Sequence, residues 1–284
     1  MLACLWEATA PKPGNVHPHA AFNDVCYADY LASAIAIGPA MDNATTQNLG
    51  TTILESVAAT RKMVGRNTNL GTILLLAPLA SVPRTLSLQE GVADVLRATD
   101  QEDAAQLYEA IRTARPGGIG TAEKMDIYQT PPGDLCAAMR EAADRDCVAQ
   151  QYAENFVPLF ERIVPNLRTA IQAGMTLADA IVHVHLQTLH AFPDSLIARK
   201  CGIAVAEEAS RRAGEVLSAG PQPSAAYQQA LQMLDRYLRD ERHQRNPGTT
   251  ADLLAAGLFT LLRDGIIEDA QAFNKRVHYA DQPH

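Results

Sequence analysis

Three polar clusters in this 284-residue chain carry residue types suited to phosphate or carboxylate chemistry. The first is Pro11-Lys12-Pro13-Gly14-Asn15-Val16. Each proline fixes φ, removes an N–H and drives the residue before it towards extended backbone, so Lys12 is held on a stiff strut. Gly14 can adopt positive φ or let a ligand approach the backbone, and Asn15 adds an amide that both donates and accepts. The second cluster, Asn67-Thr68-Asn69, stands directly before an apolar run, and the third, Asn246-Pro247-Gly248-Thr249-Thr250-Ala251-Asp252, stands before another. A helix start offers free N–H groups and partial positive charge, which suits an anion. Asn, Thr and Asp are also the preferred N-caps, and Asp194-Ser195 after Pro193 is open to the same two readings. Asp252 lies a few residues inside its helix, where capping is no longer its task.

The composition narrows the function classes. Hydrophobic residues make up 47% and charged residues 20%, with no biased tract, which marks a globular chain. A net charge of −8 opposes a general nucleic-acid surface, so phosphate recognition has to be local. Five cysteines, without CxxC spacing, fit reduced thiols and a cytoplasmic location. "MLACLWEA" lacks a basic n-region and no apolar run reaches membrane-spanning length, so no membrane partner is expected. Self-association is left open. His183, His185 and His190 share one helix, but only His183 and His190 share a face, and they stand further apart than the one-turn spacing of a two-ligand zinc site.

The elements that must position these groups all carry helical period. "LGTILLLAPLAS" follows Asn69, Ser87-x-x-Glu90 forms a capping box, and Thr176-x-x-Asp179 opens "AIVHVHLQTLHAF". Further helices are predicted over 44–64, 102–114, 133–148, 150–163, 195–218, 224–244 and 250–264, with loops at 114–132 and 218–224. No repeat or long linker divides the chain. The expectation is an all-α protein, a single domain of about ten helices spanning 1–284.

"PKPGNV" (11–16), "NTNLG" (67–71), "GGIG" (117–120), "DSLIARK" (194–200) and "NPGTTADLLAAGLF" (246–259) occur in this order. Together they resemble the triphosphoribosyl-dephospho-CoA synthase family, whose members show PKPGLVD, NTHKG, GARGE, DTN followed by an arginine, and PGGxADLLA. "DRDCVAQQY" (144–152) additionally resembles a branch associated with methanopterin-type one-carbon cofactors. The resemblance implies an all-helical enzyme that takes ATP and an acceptor hydroxyl, expels adenine and leaves the triphosphate on the transferred ribose. Breaking the bond from ribose C1′ to adenine builds oxocarbenium character, which a carboxylate stabilises. A carboxylate must also take the acceptor's proton, and the triphosphate calls for cations, N–H groups and Mg²⁺.

On that resemblance Lys12, Gly14 and Asn15 are expected to meet phosphate oxygens, and Asn67, Thr68 and Asn69 a phosphate or the ribose. Gly118, Arg199, Lys200, Gly248 and Thr249 complete the predicted binding set. Asp194 and Asp252 are the candidate catalytic carboxylates and Mg²⁺ ligands, with Glu7 as a third carboxylate. Asp144, Asp146, Gln150 and Tyr152 could wall the acceptor pocket. The chain departs from the family pattern at Asn69, Leu70 and Leu196, and its glycine-rich segment lacks the arginine and glutamate. Lost polar groups suggest a changed acceptor, for which a methanopterin-type precursor is a candidate. The competing reading is a nucleotide-binding helical protein or scaffold partner without turnover.

Overall fold

The computed structural model describes residues 1–117, 131, 133–240 and 242–267. In chain order they form α1 (Leu2–Thr9), α2 (Tyr27–Ala36), α3 (Gly38–Asp42), α4 (Leu49–Val64), α5 (Leu70–Ser81), α6 (Leu88–Arg97), α7 (Gln101–Ala114), α8 (Leu135–Ala142) and α9 (Cys147–Ala153). After a π-helical turn at Leu159–Ile163 come α10 (Val164–Gln172), α11 (Leu177–Ala191), α12 (Ser195–Cys201), α13 (Ile203–Ser218), α14 (Ala225–Leu238) and α15 (Gly248–Arg263). No strand occurs among the described residues, so the class is all-α as expected.

Two helices that are apolar almost all round, α5 and α15, form the centre, as such helices must. They pack on each other, α4 and α6 cover α5, and α1, α10 and α11 cover α15. One continuous hydrophobic core runs from Ala3 in α1 to Ile267 beyond α15. Pro78 inside α5 removes the N–H that would pair with the Leu74 carbonyl. Tyr152 of α9 fills that gap, its buried hydroxyl donating to Leu74 O at 2.5 Å.

Both predicted helix-start signals hold. Ser87 Oγ accepts from Glu90 N while Ser87 N donates to Glu90 Oε2, and Thr176 Oγ1 accepts from Asp179 N at 3.1 Å. The helices outnumber the ten or so expected because several predicted ones are broken. The 195–218 helix divides at Gly202, whose φ of +89° and ψ of 158° are not helical. The 150–163 helix breaks at Asn155 and Phe156, with φ of +51° and +62°. The 224–244 helix stops at Leu238, after which the Arg239 guanidinium turns back to Asp235 and donates to the Asn15 carbonyl at 2.5 Å.

Candidate active site

The ends of α1, α5, α9, α12 and α15 meet around a cavity of about 1310 Å³. That exceeds the range usual for a single small ligand, about 300–1,000 Å³, and is room for two. Its wall divides chemically. Glu7, Asn15, Asn67, Thr68, Asn69, Thr72 and Asp252 form a polar region where α1, α5 and α15 converge. Arg145, Asp146, Arg199 and Lys200 supply a charged side, and Leu107, Ile111, Ala138, Met139 and Ala142 an apolar one.

Asp252 is held by α5. Thr72 Oγ1 donates to its Oδ1 at 2.5 Å, and its Oδ2 lies 2.0 Å from where a Cβ on Gly71 would stand. A side chain at Gly71 would have to displace the Asp252 carboxylate. Burial above all, opposed by the Thr72 hydrogen bond and assisted by the charge of Glu7, pushes the Asp252 carboxyl up to about 8. Glu7 faces the cavity from α1 and is ion-paired to Lys12, Nζ to Oε1 2.9 Å. Asn67 performs the local capping at α5, its Oδ1 accepting from Leu70 N at 3.0 Å and Asn69 N at 3.3 Å. Thr68 Oγ1 shares a hydrogen bond with Ser33 Oγ at 2.5 Å. Asn15 Nδ2 donates to Asn246 Oδ1 at 2.7 Å, while Asn15 Oδ1 and Asn69 Oδ1 are buried without a partner among the described residues.

The model of the ATP:dephospho-CoA triphosphoribosyl transferase family matches residues 1–269. The chain belongs to that family. Membership makes it an ATP-dependent transferase, as the resemblance implied. A solved structure from Archaeoglobus fulgidus described as a triphosphoribosyl-dephospho-CoA synthase is 26% identical to the transferase, with a TM-score of 0.64 over 83% of this chain and 99% of that one. No curated protein matches the chain.

Several predicted site residues of the transferase stand elsewhere than expected. Lys12 is fully buried and does not line the cavity; its Nζ donates to the carbonyls of Glu7 and of Ala10, the latter at 3.3 Å, besides its ion pair. Gly14 is also off the wall. Its φ is +77°, its N–H goes to Asp235 Oδ1 at 2.8 Å, and a Cβ there would meet Leu238 Cβ at 2.6 Å, so it docks the strut on α14. Asp194 is likewise withdrawn from the cavity wall. Its Oδ1 caps α12 through Leu196 N and Ile197 N, and its Oδ2 accepts from Thr250 N at 2.8 Å and Thr250 Oγ1 at 2.7 Å. Four donors fill the four lone-pair sites of a carboxylate, and Asp194 is neither on the wall nor open to a metal.

Glu7, Asn15, Asn67, Thr68, Asn69, Arg199, Lys200, Gly248, Thr249 and Asp252 do line the cavity together. Gly118 lies outside the described residues. Arg199 Nη1 pairs with Asp146 Oδ2 at 2.9 Å. Burial, then the adjacent Arg199, lowers the Lys200 pKa. Thr249 Oγ1 accepts from Ser195 Oγ at 3.0 Å, and a Cβ on Gly248 would meet Leu196 Cδ2 at 2.6 Å. Asp144, Asp146 and Gln150 stand on the wall, whereas Tyr152 is spent on Leu74.

Tyr30, Ser33, Tyr108, Gly71 and Thr72 are wall residues that sequence reasoning did not single out. The usable signal was the Gly-Thr pair opening an otherwise apolar helix, a place where α5 tolerates a close neighbour. Of the three histidines of α11, His185 is buried, His183 half-buried and His190 exposed, and none lines the cavity. His190 lies against Gly214 with Nδ1 3.1 Å from Ser210 O. Among the described residues no group of three or more His, Cys, Asp or Glu side chains could hold a metal ion, and no helix is long and apolar enough to cross a membrane.

Proposed function

We propose that the cavity takes MgATP and an acceptor alcohol together, and that Glu7 and Asp252 divide the work there. The observation that carries this is the pair of carboxylates converging in a space sized for two substrates, with Asp194 withdrawn into hydrogen bonds. Mg²⁺ fits the donor set as an ion arriving on the triphosphate, since it usually takes one or two protein carboxylates and completes its shell with phosphates and water. Asp252, which lines the cavity and is partnered among the described residues at Oδ1 by Thr72, is the carboxylate for it. The α5 start, capped by the neutral Asn67, favours the phosphates electrostatically, whereas the α15 start already carries the Asp194 carboxyl. The unpartnered amide oxygens of Asn15 and Asn69 suit ribose hydroxyls, which can donate, better than phosphate oxygens, which cannot.

Glu7 then serves the reacting carbon. As the C1′–N9 bond breaks, its negative charge stabilises the developing oxocarbenium ion. The acceptor oxygen bonds to C1′ and its proton passes to Glu7, while adenine leaves as the neutral base by taking a proton from water; Glu7 then returns its own proton to solvent, so none is gained or lost overall. Arg145, Arg199 and Lys200 would receive an anionic acceptor such as dephospho-CoA, the acceptor named for the family.

A changed acceptor is the finer reading, and a methanopterin-type precursor of one-carbon cofactor biosynthesis remains its candidate. Its support is that Asn69, Leu70 and Leu196, where the chain departs from the family pattern, all line this cavity. The test is chromatographic detection of free adenine with MgATP and alternative acceptors. Binding of ATP without adenine release under any acceptor would favour a nucleotide-binding protein without turnover. Rapid, saturable transfer to dephospho-CoA at micromolar concentration would return the chain to the acceptor of its family.

A further inference from the structure

The lysine of the Pro-Lys-Pro-Gly strut is the most deeply buried charge beside the cavity, and its geometry is unlike that of a ligand-binding lysine. An ammonium has three hydrogens. In Lys12 three acceptors take them: Glu7 Oε1, Glu7 O and Ala10 O. The Lys12 side chain has no exposed surface, whereas 13% of the Glu7 side chain is exposed. Reaching a phosphate would strand Glu7 and abandon both carbonyls.

The strut is tied at its far end as well. Gly14 N–H binds Asp235 on α14, Arg239 holds the Asn15 carbonyl, and the Asn15 amide holds Asn246 just before α15. Lys12 is thus fixed from behind by chain segments more than 200 residues away in sequence, and it projects back onto α1. A flexible four-carbon stem would normally lose rotamer freedom on pairing with a carboxylate. Here the prolines and the packing have already removed that freedom.

We propose that Lys12 is a positioning residue: it fixes the Glu7 carboxylate on the cavity wall from beneath and does not touch the nucleotide. The inference rests on the reading of Glu7 as the carboxylate that serves ribosyl transfer. It gives the Pro-Lys-Pro spacing a physical reason, because a free lysine at a loop would swing to solvent and leave Glu7 mobile.

The test compares wild type, Lys12→Met, Glu7→Gln and the double variant by calorimetric MgATP binding, adenine release and melting temperature. Lys12→Met is expected to keep the MgATP Kd within about threefold while adenine release falls by about 10²-fold or more, as for loss of an oriented acid–base group. Glu7→Gln should lose a similar factor, and the double variant no more than either alone, the non-additivity of a coupled pair. Stability carries the same logic without turnover. Glu7→Gln strands a buried ammonium and lowers Tm, and adding Lys12→Met raises it again.

A tenfold or greater weakening of MgATP binding in Lys12→Met, or additive losses in the double variant, overturns the proposal and makes Lys12 a phosphate ligand. If Lys12→Met does not fold, the double variant, with both charges gone, decides by its MgATP affinity and by its Tm against Glu7→Gln. Absence of adenine release from wild type would refute ribosyl transfer itself, and the binding and stability comparisons would still judge Lys12.

Discussion

At neutral pH Asp252 carries a proton, because burial and the charge of Glu7 raise its carboxyl to about 8. Mg²⁺ binds the carboxylate form, so MgATP binding must displace that proton. The sign follows directly: affinity falls as pH drops below about 8 and levels off above it. At pH 6 about one molecule in a hundred has Asp252 ionised, so affinity is expected to be about 100-fold below its plateau, or about 2.7 kcal/mol at 1.36 kcal/mol per pH unit. The assay is titration calorimetry of MgATP in two buffers of different ionisation enthalpy at several pH values. Wild type should release close to one proton more than Asp252→Asn at pH 7, a comparison that cancels the protons of ATP itself. The same raised carboxyl makes the native state bind more protons than the unfolded chain between about pH 4 and 8, so stability contributed at this position declines as pH rises through that window. Asp252→Asn is therefore expected to melt higher than wild type at pH 8 while binding MgATP weakly. Equal proton release by wild type and Asp252→Asn, with a parallel pH profile of affinity, would refute the assignment of this carboxylate to the metal-bound triphosphate.

Two further outcomes test the supports of the site. Asp194→Ala leaves the N–H groups of Leu196, Ile197 and Thr250 and the Thr250 hydroxyl without their acceptor, and should cost about 3 kcal/mol or more in urea unfolding; an inactive variant within about 1 kcal/mol of wild type would return Asp194 to the chemistry. Gly71→Ala places a methyl 2.0 Å from Asp252 Oδ2, in a helix where alanine is otherwise favoured by about 1 kcal/mol, so helical circular dichroism should persist while MgATP affinity falls at least tenfold; unchanged affinity would show that Asp252 can move without consequence.

Local codes settle between near neighbours, and those were legible in the sequence. The apolar run after Asn69 predicted α5 over 70–81 as it stands, and the Ser87–Glu90 box and the Thr176 cap act within a single turn. The ordered motifs also carried the family. What the sequence left undecided is which polar group at a helix start stays open. Asp194 and Asp252 both adjoin such starts, but Thr250, 56 residues from Asp194, takes the oxygen that the capping of α12 leaves open on the first, while Thr72, 180 residues from Asp252, holds Oδ1 of the second. Lys12 reads as a ligand on its strut, yet packing closes over it and turns it to Glu7. The breaks at Gly202 and at Asn155 and Phe156 interrupt sequences whose hydrophobic period continues through them. Period reports which face is apolar, whereas only the assembled core decides where the chain must turn and which carboxylates keep lone pairs for a substrate.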